Sequence, residues 1–242
     1  MSAECHHFDM PLRVLSGAEA ADRPGGGNLS GTWPWRVCDV LPNGYEAYLR
    51  LFNPFGPAQS DELVAIPPAD RHRWADLATE AGVPFGPTLT LRQLAPVLAL
   101  VRVGRRYRVA VGEVERGTAL DLMTALGPAT GLASVYFWYG LSAEMCGVPD
   151  LAFRGTVDSL PEVWSEAERS VQPGLRIRGP ELIWSESRRW VVMIHYDHSS
   201  AYIACDEASA KMLDSHGGLE TVRVTPSTRI DDRADEETSR PG

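Results

Sequence analysis

WVVMIHYDHSSAYIACD, residues 190–206, is the stretch on which the fold turns. Read as a strand over 189–197, it alternates. Trp190, Val192, Ile194 and Tyr196 share one face, and His195 and Asp197 take the other. His198 falls in a polar turn, and SAYIACD (200–206) returns as the hairpin partner. Two apolar runs joined by a short polar connection predict antiparallel pairing.

Working outward, Asp206 is placed to cap a helix, EASAKMLDSHGG, closed by Gly217-Gly218. LETVRVT follows as the last strand. Upstream, ELIWS places Trp184 on a brief strand, and LAFRGTVDSLPEVW (151–164) predicts a short strand and then a turn or helix. ASVYFWYGL (133–141) is a buried strand, because five consecutive β-formers end at Gly140. GTALDLMTALG (117–127) reads as a helix stopped by Gly127-Pro128, and RQLAPVLALV (92–101) as a helix carrying Pro96. PPADRHRWADLATEAGV (67–83) is a helix with Asp70 as its cap and Gly82 as its stop. GYEAYLRLFNPFG (44–56) fits a strand by its alternation and its Gly and Pro boundaries. Strands and helices mix without regular βαβ alternation. The expected fold is therefore α+β, a mostly antiparallel sheet with helices packed on it.

Composition places the domain limits. Residues 1–32, with GAEAADRPGGGNLSG, read as a flexible leader, 33–228 as a single α+β domain, and 229–242 as a disordered tail. The chain has 242 residues, is 44% hydrophobic and carries a net charge of −9. That charge disfavours a general nucleic-acid or anionic-membrane binder. It has 22 Arg and a single Lys, Lys211, with only three Asn and six Ile, the mark of GC-rich coding. No apolar run is long enough to span a membrane, no secretory signal precedes the first strand, and Cys5, Cys38, Cys146 and Cys205 form no CxxC pair. A cytoplasmic protein with reduced thiols and no cofactor is expected.

Three constellations bear on chemistry. His195, Asp197 and His198 could hold a divalent metal, which needs further ligands; His195 could act as a general base oriented by a carboxylate; or they form the polar rim of a hairpin. CHHFD (5–9) is a second metal-like tract, but in the leader. VRVGRRYRV (101–109) gathers Arg102, Arg105, Arg106 and Arg108 around Tyr107, a phosphate clamp or a solvated strand face. The rings of VYFWYG, Trp138 among them, could line a groove or fill a core. No GxxxxGK[ST], GxGxxG after a strand, GxSxG or HExxH occurs, so the commoner nucleotide-dependent and hydrolase chemistries have no motif here.

In order along 35–230, Gly44–Arg50, Arg73–Gly82, Val135–Gly140, Phe153–Leu160, Leu182–Tyr202 and Leu219–Pro226 resemble a family of uncharacterised proteins of GC-rich bacteria. The resemblance brings no catalytic residue. Asp197 and Tyr202 fit its pattern, whereas an acidic residue commonly stands where His195 stands here. LPNGYEAYLRLFNPFG also resembles a segment of the SUKH superfamily, α+β proteins that include bacterial immunity proteins, with Asn53-Pro54 in place of its Asn-Gly. That resemblance implies a helix here.

The expectation is a non-enzymatic binding protein, immunity-like or regulatory, recognising a protein partner of basic character, with Trp138, Tyr202, Arg105 and Arg106 as binding candidates. The alternative is a metal-dependent hydrolase using His195, Asp197 and His198. A nucleic-acid role for the arginine cluster ranks behind both.

Overall fold

The computed structural model describes residues 12–15, 23–24, 35–57, 65–98, 107–148, 151–172 and 175–238. Its strands are β1 (Arg13–Val14), β2 (Ala47–Phe52), β3 (Phe55–Pro57), β4 (Tyr107–Val109), β5 (Val135–Tyr139), β6 (Leu151–Gly155), β7 (Leu182–Ser185), β8 (Trp190–Ile194), β9 (Ser200–Cys205) and β10 (Thr221–Val224). The helices are α1 (Val37–Val40), α2 (Trp74–Ala81), α3 (Leu91–Leu98), α4 (Arg116–Thr130), α5 (Leu141–Met145), α6 (Leu160–Ser170), α7 (Glu207–Ser215) and α8 (Asp235–Thr238).

Eight strands form one sheet in the order β1-β6-β5-β7-β8-β9-β2-β10, and every pairing is antiparallel. This is the expected α+β architecture. The opening stretch is its central hairpin, with Val192 opposite Ile203 and Met193 opposite Tyr202. Within the 44–56 segment Ala47–Phe52 form strand β2 and Phe55 begins β3, where the SUKH-like resemblance implies a helix.

Both faces of the sheet are covered. On one, Trp190, Val192, Ile194, Ile203, Leu49 and Phe137 pack under α4, α6 and α7, which contribute Leu122, Leu126, Val163 and Leu213. On the other, Val191, Met193, Tyr202 and Trp184 meet Val37, Val40, Leu41 and Ile230. Burial on two sides is why β8 is apolar at every position rather than at every second one. After β2, described residues among them Phe55, Trp74, Leu77 and Leu94 form a third cluster with Phe52.

Local sequence accounts for most element ends. Asp206 caps α7 by accepting from Ser209 N at 2.7 Å. Gly82 stops α2 in the left-handed region, at φ 68°. Two readings need correction. Asp70 does not cap α2; the Glu220 carboxylate does, accepting from Trp74 N (2.7 Å) and Ala75 N (2.9 Å). Helix α4 also runs through Gly127-Pro128 to Thr130. One proline removes one backbone hydrogen bond, and the burial of Leu126, Ala129 and Thr130 outweighs it.

The folded part also reaches past the limits read from composition. Arg13 and Val14 pair with β6, and Leu15 is buried. Ile230, Asp231 and Ala234 are buried and lead into α8, and Arg92 binds Asp235 at 2.6 Å. Isolated apolar residues in polar segments are enough to anchor them. Among the described residues no helix is long and apolar enough to cross a membrane.

Candidate functional site

The polar groups that the sheet concentrates lie where β2, β8 and β9 end together. β8 stops at Ile194, and His198 N donates to His195 O (3.0 Å) to close the turn. The parity of β8 sends His195 to the face of Val191 and Met193, the covered second face. His195 is therefore only 2% exposed, not at a wet edge as the one-sided reading implies. Trp35 meets its ring edge-on at 4.5 Å between centroids, and His198 lies at 4.7 Å. His198 in turn contacts Tyr202 at 5.7 Å.

Hydrogen bonding sets the tautomer of His195. Asp197 N donates to its Nδ1 at 3.3 Å, which leaves the proton of the neutral ring on Nε2. That Nε2 and the Nδ1 of His198 are both buried without a hydrogen-bond partner. Burial lowers both pKa values. For His198, desolvation leads, the neighbouring His195 and Arg50 add to it, and the value falls to about 3. For His195, desolvation is opposed by Asp197. Both rings are neutral at neutral pH.

Arg50 completes the group. It stands opposite Tyr202 in the β2–β9 register and is 6% exposed. Its Nε donates to Ser200 Oγ (3.0 Å), and its Nη1 to Pro87 O (3.0 Å) and Leu89 O (2.8 Å). Phe52 lies 4.3 Å beneath the guanidinium. All three acceptors are neutral, and Arg50 makes no ion pair with a described carboxylate. It ties the connection between α2 and α3 to the sheet, and it raises the local potential. Burial also pushes the Tyr202 hydroxyl up, with Arg50 opposing the shift.

The candidates read from the sequence divide accordingly. His195, His198 and Tyr202 come together. Asp197 does not join them: its side chain is exposed in the turn, and its charge raises the hydroxyl of Tyr196 beside it. No group of three or more His, Cys, Asp or Glu among the described residues is placed to hold a metal ion. Trp138 lies apart on β5, half-buried, with Arg23 4.5 Å over its ring. Arg102, Arg105, Arg106 and the CHHFD tract lie outside the described residues, and Arg108 is exposed on β4. Arg50 and Trp35 were not singled out as site residues. Arg50 carried one signal, a charge at the inward parity of an otherwise apolar strand.

A second polar concavity lies on the helix side. It is a narrow cleft between α6, the start of α4 and residues 176–179, with Tyr139 among its lining residues. Tyr139 is fully buried and its hydroxyl has no partner among the described residues.

No protein family, no characterised protein and no solved structure matches this chain.

Proposed function

We propose that this protein is a non-enzymatic binding protein that recognises a basic protein partner, in an immunity-like or regulatory role. The observation that carries the reading is the closure of the hairpin cluster. The groups best suited to hydrolysis are His195, Asp197 and His198. His195 is sealed under Trp35, and Asp197 is exposed in the turn. A general base must reach the proton it takes, and this one is shut from solvent. The net charge of −9 favours encounter with a cationic partner. The cytoplasm is the compartment proposed for this protein.

The test has two arms on the full chain. A broad hydrolase panel should give no turnover; turnover that disappears in His195→Gln overturns the proposal. A captured basic protein, rebuilt from pure components, should bind at one to one and weaken steeply with salt. The rival, a metal-dependent hydrolase, requires stoichiometric metal in the purified protein and its loss in His195→Ala.

A further inference from the structure

We infer that the cleft floored by Tyr139 is a binding site for a small phosphate-class oxyanion. The Tyr139 hydroxyl would hold it from within, and the Arg116, Arg176 and Arg178 guanidiniums from the mouth. The inference stands apart from the hairpin cluster and from the proposed partner, since none of these residues belongs to either.

The first argument is the orphaned donor. Tyr139 is 0% exposed, and its hydroxyl has no hydrogen-bond partner among the described residues. A buried hydroxyl left unmatched is costly, so such a group calls for an occupant of the adjoining space. The cleft as a whole encloses room for only one water-sized group, so one oxyanion oxygen would sit against the hydroxyl with the remaining oxygens at the open mouth. Burial holds the phenol protonated, so it can only donate to an anion's oxygen.

The second argument is charge. Three arginines and two carboxylates line the cleft, leaving one positive charge in a chain that is otherwise strongly acidic. Glu168 binds Arg116 at 2.6 Å and Glu113 binds Arg176 at 2.7 Å. These pairs hold two guanidiniums at the mouth rather than neutralising the whole. Arg116 is further fixed by stacking on Trp164, 4.9 Å from its ring. Arg178 has no ion pair with a described carboxylate and donates to the backbone oxygen of Tyr196 at 3.1 Å. Guanidinium forks match the geometry of phosphate oxygens, and a metal cation would meet net repulsion here.

The third argument is access. Gly179 forms part of the wall, and a Cβ there would lie 3.8 Å from Trp164 Nε1, in ordinary contact. A larger side chain at 179 would therefore narrow the cleft without straining the backbone.

The experiment is calorimetric titration of the full-length protein with inorganic phosphate, with chloride at matched ionic strength as the reference. Saturable one-to-one binding is expected, with a Kd of about 1 mM or tighter. Tyr139→Phe keeps the shape of the ring and should weaken binding about tenfold, the effect of one lost hydrogen bond to a charged group. Arg178→Gln should do the same, and Gly179→Leu should abolish binding. Arg233→Gln, an exposed arginine elsewhere, should leave it unchanged. Melting curves without phosphate establish that each variant is folded. Absence of saturable binding to wild type overturns the inference. So does equal weakening by Arg233→Gln and Arg178→Gln, or an unaltered Kd in a folded Tyr139→Phe.

Discussion

Acid should destabilise this protein through His198, and the size of the effect follows from its surroundings. In the unfolded chain the imidazole titrates near its ordinary 6.5, whereas in the fold it is held down to about 3 by burial, His195 and Arg50. The folded value is the lower one. Below pH 6.5 the unfolded state therefore binds a proton that the folded state refuses, and stability falls as pH falls. Each pH unit inside that window is worth about 1.4 kcal/mol. Between pH 7 and pH 5 the loss from this one ring integrates to about 2 kcal/mol, a sizeable part of a typical folding free energy. Carboxylates add their own acid sensitivity at lower pH, so the informative quantity is a difference. Urea unfolding of wild type and of His198→Gln, measured from pH 7 to pH 5, should give curves that diverge by about 2 kcal/mol, with wild type the steeper. His195 is shifted in the same direction and remains in both proteins, so the difference reports His198 together with its coupling to His195. Parallel loss of stability in the two proteins would refute the reasoning. It would mean that the His198 ring is hydrated or has an acceptor for its proton.

Glu115 is fully buried and accepts from Ile66 N, Gly117 N, Thr118 N and Thr118 Oγ1 while pairing with Arg71 at 3.1 Å. Glu115→Ala should cost about 3 kcal/mol in denaturant unfolding, because it leaves three amides without their acceptor and removes the shorter of the two ion pairs of Arg71, which keeps Asp121 at 3.4 Å. Asp206→Ala removes the cap of α7 and the 2.6 Å pair with Arg189, and a loss of about 1 kcal/mol is expected by the same measurement. Cys205 is buried and its thiol is pushed up to about 12, so peptide mapping after treatment with a thiol reagent at pH 8 should find it unmodified until the protein is denatured. Cys38 and Cys146 are partly exposed and should react in the native state.

Much of the sheet can be read from local sequence because its strands are bounded by strong punctuation and its hairpins are short. Trp184, Trp190 and Tyr202 sit on β7, β8 and β9 in the register that tight antiparallel pairing requires. Contacts made across long separations are another matter. The carboxylate that caps α2 stands at 220, 146 residues from Trp74. No propensity at Asp70 could reveal that a distant glutamate takes the same role. The continuation of α4 past Gly127-Pro128 has the same cause, since the core bordering Leu126 and Ala129 is supplied by other elements. Tyr139 reads as one more ring of a buried strand. Only the placement of α6 and residues 176–179 leaves its hydroxyl facing a cleft.

The environment of His195 was in principle legible, and the clue lies in β8 itself. A strand with one wet face alternates, so Val191 and Met193 would be polar if that face met water. They are apolar and buried, as are Trp190, Val192 and Ile194. Five consecutive apolar residues demand a cover on each side, and His195 continues the parity of Val191 and Met193 into the covered layer. The cover itself is harder to foresee. It comes from Trp35 and α1 at one end of the chain and Ile230 at the other, next to segments whose polarity marks them as leader and tail. A solvent-facing reading of the two imidazoles misses the second layer that Val191 and Met193 imply. Once that layer is in place, desolvation leads in keeping both rings neutral. Chemistry at the hairpin would require the layer under Trp35 to open.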